Sequence, residues 1–434
     1  MIMRKAGMPG MKIWEAITLA YARLKLAIFL TYVIFAILLN SVGTVILQSI
    51  ENYGVSKIDA STLEGFKDLP IALASFVVGA FLPRLGYRNG MIAGLVLVAI
   101  ACIAMVTFNS FWMTRILFAA TGVAFALVKV SVYSLVGLLT NSPRAHASLL
   151  NTIEGVFMIG VLAGYWFFAA FIERDGSGWL DVYWWLAALA MFAAILVATT
   201  PFDERGNLGE GAAILAPALM SDLTSMLRLT LQGLTIAFVV AAFLYVLIEQ
   251  GIGTWLPTLN REGFGLSAAL SVQAASIYAA GLAVGRLAAG MVVQRTGWLR
   301  LLIGCVIMMA LLLLVVLPLA SKPVGGEVNG WMEAPVAAFL LPLIGLVMAP
   351  IYPTLNSAVL SAMPRAAQSK MVGLIVIFSA LGGTSGSFII GRLFNSMNGI
   401  AALYVMLVPI ALLSAAILVL ARMLRHPQQE PDPT

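Results

Sequence analysis

Two ionisable side chains stand in stretches otherwise built for lipid. Lys129 lies in the apolar run 112–139 and Glu154 in the run 149–171. An ionised group at the bilayer centre costs about 2.5–3.5 kcal/mol on insertion scales, so it needs a partner, a wet cavity or a task. The two runs read as a hairpin joined near 140–148, with Lys129 about 16 Å and Glu154 about 10 Å from the loop at α-helical rise. Two readings stay open. The residues lock the hairpin as an ion pair, or one or both face a cavity. In the second reading Glu154 carries a proton, and Lys129 is its counter-charge or the partner of an anionic substrate group. Tyr133, one turn after Lys129, brings a hydroxyl to the same helical face.

Glu64, Lys67 and Asp68 crowd the start of the run 63–82 on adjoining helical faces. They read either as a solvated helix end or as an outer gate, with Asp68 the deepest. Glu249 and Gln250 close the run 229–250, one turn after Tyr245, and Gly251-Ile252-Gly253 then allows the backbone to break. Broken helices are where many transporters form a binding surface. The proton-coupling candidates are therefore Glu154 first, then Asp68, Glu249 and Glu64. Candidates for holding a hydroxylated solute are Asn40, Gln48, Tyr133, Tyr245, Gln250, Trp255, Gln273, Tyr278, Tyr352 and Asn356. Amides and carboxylates bind hydroxyls while an aromatic ring packs on the apolar face of a sugar. The same residue types also serve helix–helix hydrogen bonds. Arg115 and Arg286 fall near run ends and read as snorkelling cations.

The elements that must position these groups are membrane helices. Of the 434 residues 61% are hydrophobic and 10% charged, against roughly 25% charged in ordinary soluble domains. Runs long enough to span fall near 26–49, 63–82, 91–109, 112–139, 149–171, 182–200, 229–250, 268–291, 301–320, 335–361, 371–393 and 400–421, which predicts twelve spans. Placing the N-terminus in the cytoplasm puts Arg4, Lys5, Lys12, Arg23, Lys25, Arg84, Arg88, Arg144, Arg205, Arg228, Arg295, Arg300, Arg365, Lys370, Arg422 and Arg425 on that side. Only Lys57, Arg174, Arg261 and Lys322 fall opposite, with Arg392 near that edge. The asymmetry predicts both termini inside, in a multi-pass protein of the inner (plasma) membrane. Trp112, Trp179, Trp184, Trp255 and Trp331 sit near predicted outer ends, where interfacial rings are favoured.

Several function classes are disfavoured. Cys102 and Cys305 lie singly in apolar runs, and His146 and His426 lie in polar segments, so no metal or disulfide framework is expected. The net charge of +6 follows from basic cytoplasmic loops and predicts no nucleic-acid partner. No nucleophile–base pair suggests an enzyme, and no phosphate-binding loop suggests ATP drive. No cleavable signal peptide and no cofactor are expected, the coupling ion being the proton. The expected partners are a small-molecule substrate and the bilayer, with the chain a monomer.

The chain repeats itself. Gly79, Arg84 and Gly86 follow the second run, with Arg88 two residues on, and Gly290, Arg295 and Gly297 recur at the same offsets after the eighth. Ser142-Pro143-Arg144-Ala145 and Met363-Pro364-Arg365-Ala366 form a second matched pair. The longest internal polar connection, 201–228, divides the repeats, and a short surface helix is expected from Ser221. Five segments follow: a cytoplasmic segment 1–25, a six-helix bundle 26–200, a linker 201–228, a second bundle 229–422 and a tail 423–434. Glycines such as Gly155, Gly160, Gly164, Gly382, Gly383 and Gly386 read as close helix contacts.

The Gly79 and Gly290 segments resemble the loop motif of the major facilitator superfamily, with Pro83 and Gln294 where that family has an aspartate. The resemblance spans nearly the whole chain. It implies an all-α membrane fold of two pseudo-symmetric six-helix bundles, with the motif as a cytoplasmic gate and Arg84 and Arg295 bonding helix C-termini. Asn40–Gln48, Arg84–Gly90 and Glu249–Pro257 further resemble the fucose–galactose–hexose proton symporter branch. That branch's carboxylates of spans 1 and 4 fall here near Gly43 and Leu127, so the coupling role passes to other carboxylates. The resemblance implies proton-coupled symport of a hexose-like sugar by alternating access. The alternatives are transport of an organic anion or metabolite through Lys129, and a non-transporting membrane sensor.

Overall fold

The computed structural model describes residues 10–140, 142–172, 178–200, 233–320, 326–363 and 365–425. The linker 201–228 with Ser221, the outermost termini, Arg174, Lys322 and His426 lie outside the described residues. The first half holds α1 (Gly10–Asn40), α2 (Val42–Tyr53), α3 (Lys57–Leu85), α4 (Tyr87–Phe108), α5 (Phe111–Leu139), α6 (Pro143–Phe171) and α7 (Val182–Thr199). The second holds α8 (Gly233–Gly253), α9 (Leu256–Phe264), α10 (Ala268–Thr296), α11 (Trp298–Ala320), α12 (Val336–Leu340), α13 (Ile344–Met348), α14 (Ile351–Ala362), α15 (Arg365–Ser396), α16 (Gly399–Val405) and α17 (Leu407–Arg425).

Among the described residues eleven segments are long and apolar enough to cross a membrane. The expected second span is not one of them: charged residues crowd the first half of α3, and several side chains of its apolar second half lie outside the described ones. Its 29 residues still measure about 43 Å, enough to cross. Many large apolar side chains, such as Leu287 (79% exposed) and Leu73 (70%), face outward, a surface that suits lipid. The helix ends carry their own caps. Ser110 accepts from the Met113 amide, Ser267 from Leu270 and Asn398 from Ala401, each meeting a donor the first turn leaves free.

Three expected spans are interrupted. The run 26–49 breaks at Ser41 between α1 and α2; the run 229–250 is unbroken in α8, which continues helical through Gly251-Ile252-Gly253, where a break was expected, and stops only at Thr254 and Trp255 before α9. The run 335–361 becomes α12, a 3-10 turn at Leu341–Leu343, α13 and α14, with Pro342 and Pro350 at the joints. The last run breaks between α16 and α17 at Met406, three residues before Pro409. A proline removes an amide donor and crowds the preceding turn, so breaks of the latter two kinds are its usual outcome.

The chain divides into two compact units, and these cut across the sequence halves. Unit 1 is Met1–Ser41, Pro70–Phe167 and Leu180–Ala218; unit 2 is Val42–Leu69, Phe168–Trp179 and Leu219–Thr434. Unit 1 is built on α4, packed against α5 and α7. Unit 2 is built on α8, packed against α15 and α17. The α8–α15 contact is close because α15 presents glycines. A Cβ at Gly382 would lie 2.5 Å from the Phe243 carbonyl oxygen, and one at Gly386 would overlap that of Leu247. Gly386→Ala therefore forces the helices apart. It is expected to lower the stability of the purified protein by about 1–3 kcal/mol, read as a fall in melting temperature in detergent.

The repeat motif has matching backbone geometry. Gly86 joins α3 to α4 at φ 89° and Gly297 joins α10 to α11 at φ 78°, a region L side chains avoid. The expected capping by Arg84 falls outside the described side chains, as do Gly79 and Arg144; Arg295 is exposed, and it is Arg88 that donates to a helix end, the Ala198 carbonyl of α7. The tryptophan belt is also corrected. Trp112 and Trp184 are exposed, whereas Trp179 and Trp255 are buried, because both rings pack inside unit 2 on Tyr53 and Phe394.

Candidate functional site

Unit 1 gathers the charges of α5 and α6 around aromatic rings. α6 begins at Pro143, so the connection to α5 is only three residues and Lys129 and Glu154 stand at similar distances from it. They nevertheless do not pair. The Tyr133 hydroxyl donates to Glu154 Oε1 at 2.6 Å, while Lys129 Nζ lies 5.9 Å from the Tyr133 ring centre and 5.6 Å from that of Phe125. The lysine runs along its own helix, between rings one turn before and one turn after. This corrects the locked-hairpin reading: the carboxylate is held by a neutral hydroxyl.

Behind that contact lies a ring cluster that sequence reasoning missed. Phe125 packs on Phe35 at 5.6 Å and on Phe157 at 6.3 Å, and Tyr32 meets Phe157 edge to face at 6.1 Å. Tyr32 is within electrostatic reach of Tyr133 and Glu154, and its buried hydroxyl has no hydrogen-bond partner among the described residues. A tyrosine in the middle of a predicted span was the available signal, since a buried phenol normally finds a partner. Asn40, also in unit 1, bonds back to the Ala36 carbonyl at 2.9 Å, which spends its amide on its own helix.

Unit 2 holds the cluster on α3. Glu64 is 0% and Lys67 6% exposed; they form an ion pair, and Lys67 reaches Asp68 Oδ1 at 3.5 Å. The solvated-helix-end reading is thereby corrected, since α3 is packed here against other helices. Glu64 Oε2 accepts from Thr254 Oγ1 at 3.1 Å, and that hydroxyl also lies 3.1 Å from Gln250 Oε1. A Cβ at Gly383 of α15 would lie 2.6 Å from Asp68 Oδ2 and 3.2 Å from Gln250 Cγ, so the three residues meet. Trp255 donates to the Ser387 carbonyl at 3.0 Å, and the Ser387 hydroxyl donates to the Ser61 carbonyl at 3.3 Å, tying α15 to α3. Trp255 is thus a buried anchor rather than an open ring.

Beyond this layer an ion-pair clasp ties α2 and α3 to α9. Lys57 pairs with Glu262 at 2.5 Å, and Arg261 pairs with Glu51 at 2.7 Å and with Glu327. Burial works against the Arg261 charge, but hydrogen bonds to Glu327 and Glu51 outweigh it and lift the residue above its usual range. Gln48, fully buried on α2, accepts from Asn52 at 3.0 Å and has an unpartnered Nε2.

A third group lies on α8, α10 and α14. Arg286 is paired with Glu249 Oε1 at 3.2 Å, and Tyr245 donates to the same oxygen at 3.2 Å. Tyr278 donates to the Glu249 carbonyl at 3.0 Å, a second bond to the last turns of α8. Tyr352 stacks on Tyr245 at 5.4 Å and bonds Ser379 at 3.0 Å. Asn356 lies one turn further along α14, and Gln273 is half-buried on α10. Arg286 is therefore not a simple snorkelling cation; its position on the last turns of α10 gave no hint of its partner.

The chain matches the family model of the Major Facilitator Superfamily over residues 28–387. No curated protein matches it. Among solved structures it resembles a bacterial homologue of the human lysosomal transporter Spinster, in an inward-facing and unoccupied conformation. The identity is 13% and the TM-score 0.72, covering 95% of this chain and 99% of that one. It resembles the nucleoside transporter NupG at 13% identity and TM-score 0.69, covering 94% and 99%. It resembles the inward-open xylose transporter XylE from E. coli at 16% identity and TM-score 0.64, covering 96% and 98%.

Proposed function

The chain belongs to the Major Facilitator Superfamily, and from that premise we propose that it is a proton-coupled symporter of a neutral, hexose-like solute. Its family and its apolar helices make it a multi-pass membrane transporter of a small molecule. The observation that carries the finer reading is Glu154, whose carboxylate is bonded to the Tyr133 hydroxyl at 2.6 Å and has no ion pair among the described residues. A hydroxyl suits both states of a carboxyl group: it donates to the carboxylate and accepts from the acid. A proton can then come and go without stranding a buried counter-charge. Phe157, half-buried at the edge of the ring cluster it forms with Tyr32 and Phe125, offers the apolar wall a sugar ring packs on. The sugar reading gains support from the fold neighbours, one a xylose and one a nucleoside transporter, whose solutes share a pentose. Transport proceeds by alternating access, with protonation of Glu154 favouring one orientation.

Proteoliposomes test this. An inward proton gradient is expected to drive accumulation of a neutral sugar or nucleoside. Glu154→Gln is expected to abolish accumulation while counterflow stays within about threefold, because only the protonation step is lost. Gradient-driven accumulation that survives Glu154→Gln assigns the proton elsewhere. A second reading is favoured by Lys129, which is exposed and has no carboxylate partner among the described residues. Anion exchange that is insensitive to sugars and lost in Lys129→Ala would establish an organic-anion carrier instead.

A further inference from the structure

We infer that Glu249, Arg286 and Asn356 form a subsite that grips a vicinal diol of the solute; the inference rests on the reading of a neutral, sugar-bearing substrate. Both hydrogen bonds received by the Glu249 side chain, from Tyr245 and Arg286, fall on Oε1. Its Oε2 is left to accept from a ligand. Glu249 is 14% exposed and Arg286 43%, so the guanidinium is the more exposed side of the pair.

The second, independent observation is an orphan. The Asn356 carbonyl oxygen is buried and accepts no hydrogen bond, while its side chain bonds Tyr352. Tyr352 in turn stacks on Tyr245 at 5.4 Å and 26°, so the orphan acceptor and the Glu249 carboxylate flank one tyrosine stack. A buried acceptor without a donor is costly, and a ligand hydroxyl is the natural remedy.

The chemistry selects the ligand class. A carboxylate or phosphate brings no donor for Asn356 and is repelled by Glu249, whose charge already neutralises Arg286. A diol satisfies all three residues. One hydroxyl donates to Glu249 and accepts from Arg286, and its neighbour donates to Asn356.

Binding to the purified full-length protein is read by thermal shift with D-galactose, D-xylose and uridine, set against 2-deoxy-D-galactose and 2′-deoxyuridine. The wild type is expected to bind a diol-bearing probe at least about tenfold more tightly than its deoxy form, the usual consequence of leaving a site's polar group unpaired. Asn356→Leu is expected to erase that preference. It is also expected to leave the ligand-free protein as stable as the wild type or more so, since it removes an unsatisfied polar atom; a merely structural asparagine would move stability the other way. Glu249→Gln is expected to weaken diol binding about tenfold or more, with Arg286→Lys a milder variant that keeps the charge pair. If these variants retain wild-type preference for the diol, the subsite is wrong and the sugar reading stands. If no polyol stabilises the wild type, the sugar reading fails and the subsite falls with it.

Discussion

In a background lacking Cys102 and Cys305, the double variant Gly65→Cys/Thr384→Cys is expected to form a disulfide, lose transport and recover it on reduction. A Cβ at Gly65 would lie 3.9 Å from the Thr384 Cβ, close to the mean Cβ separation of about 3.8 Å in disulfides. Thr384 is a mild position to replace, since its buried hydroxyl has no partner. The bond would tie α3 to α15, and both helices stand in the layer that Trp255 and Ser387 already lock. On the reading that both termini are cytoplasmic this layer would lie toward the outside, where an alternating carrier would have to part it in every cycle. Transport is expected to fall by about a hundredfold or more, to the rate of empty liposomes, because an alternating carrier has no parallel route. Transport at wild-type rate with the disulfide formed would mean that this packing never opens.

Lys67→Met is expected to cost about 3–5 kcal/mol of stability, the range for removing one member of a buried ion pair. Glu64 would keep its charge with only the Thr254 hydroxyl in place of an ammonium, at a site with no exposure. Adding Glu64→Gln to Lys67→Met is expected to recover most of the loss, because the pair then vanishes together. The measurement is unfolding in detergent of the single and double variants. Equal stability of the two would show that Asp68, 3.5 Å from Lys67, rather than Glu64 is the partner that matters.

The spans were legible because about 20 apolar residues in succession have one economical home. Even α3 was readable, although charged residues crowd its first half. The breaks at Pro342, Pro350 and Pro409 could be anticipated from residue type, but the break at Ser41 could not. There the serine hydroxyl bonds the Leu38 carbonyl at 2.8 Å, a local competition that leaves no periodic signature. The candidate site was legible in its residues and illegible in its pairings. Depth along a helix placed Lys129 beside Glu154, but the direction each side chain takes gave the contact to Tyr133 instead. Arg286 could not be matched to Glu249 because neither helix crossing nor azimuth is written in composition.

A hydroxyl has one hydrogen, and Thr254 stands 3.1 Å from two acceptors that both want it, Glu64 Oε2 and Gln250 Oε1. Serving either oxygen leaves the other bare. A solute that satisfies Gln250 would release Thr254 wholly to Glu64, and a proton placed on Glu64 would release it to Gln250. One rotating O–H thus joins the end of α8 to the charged layer of α3.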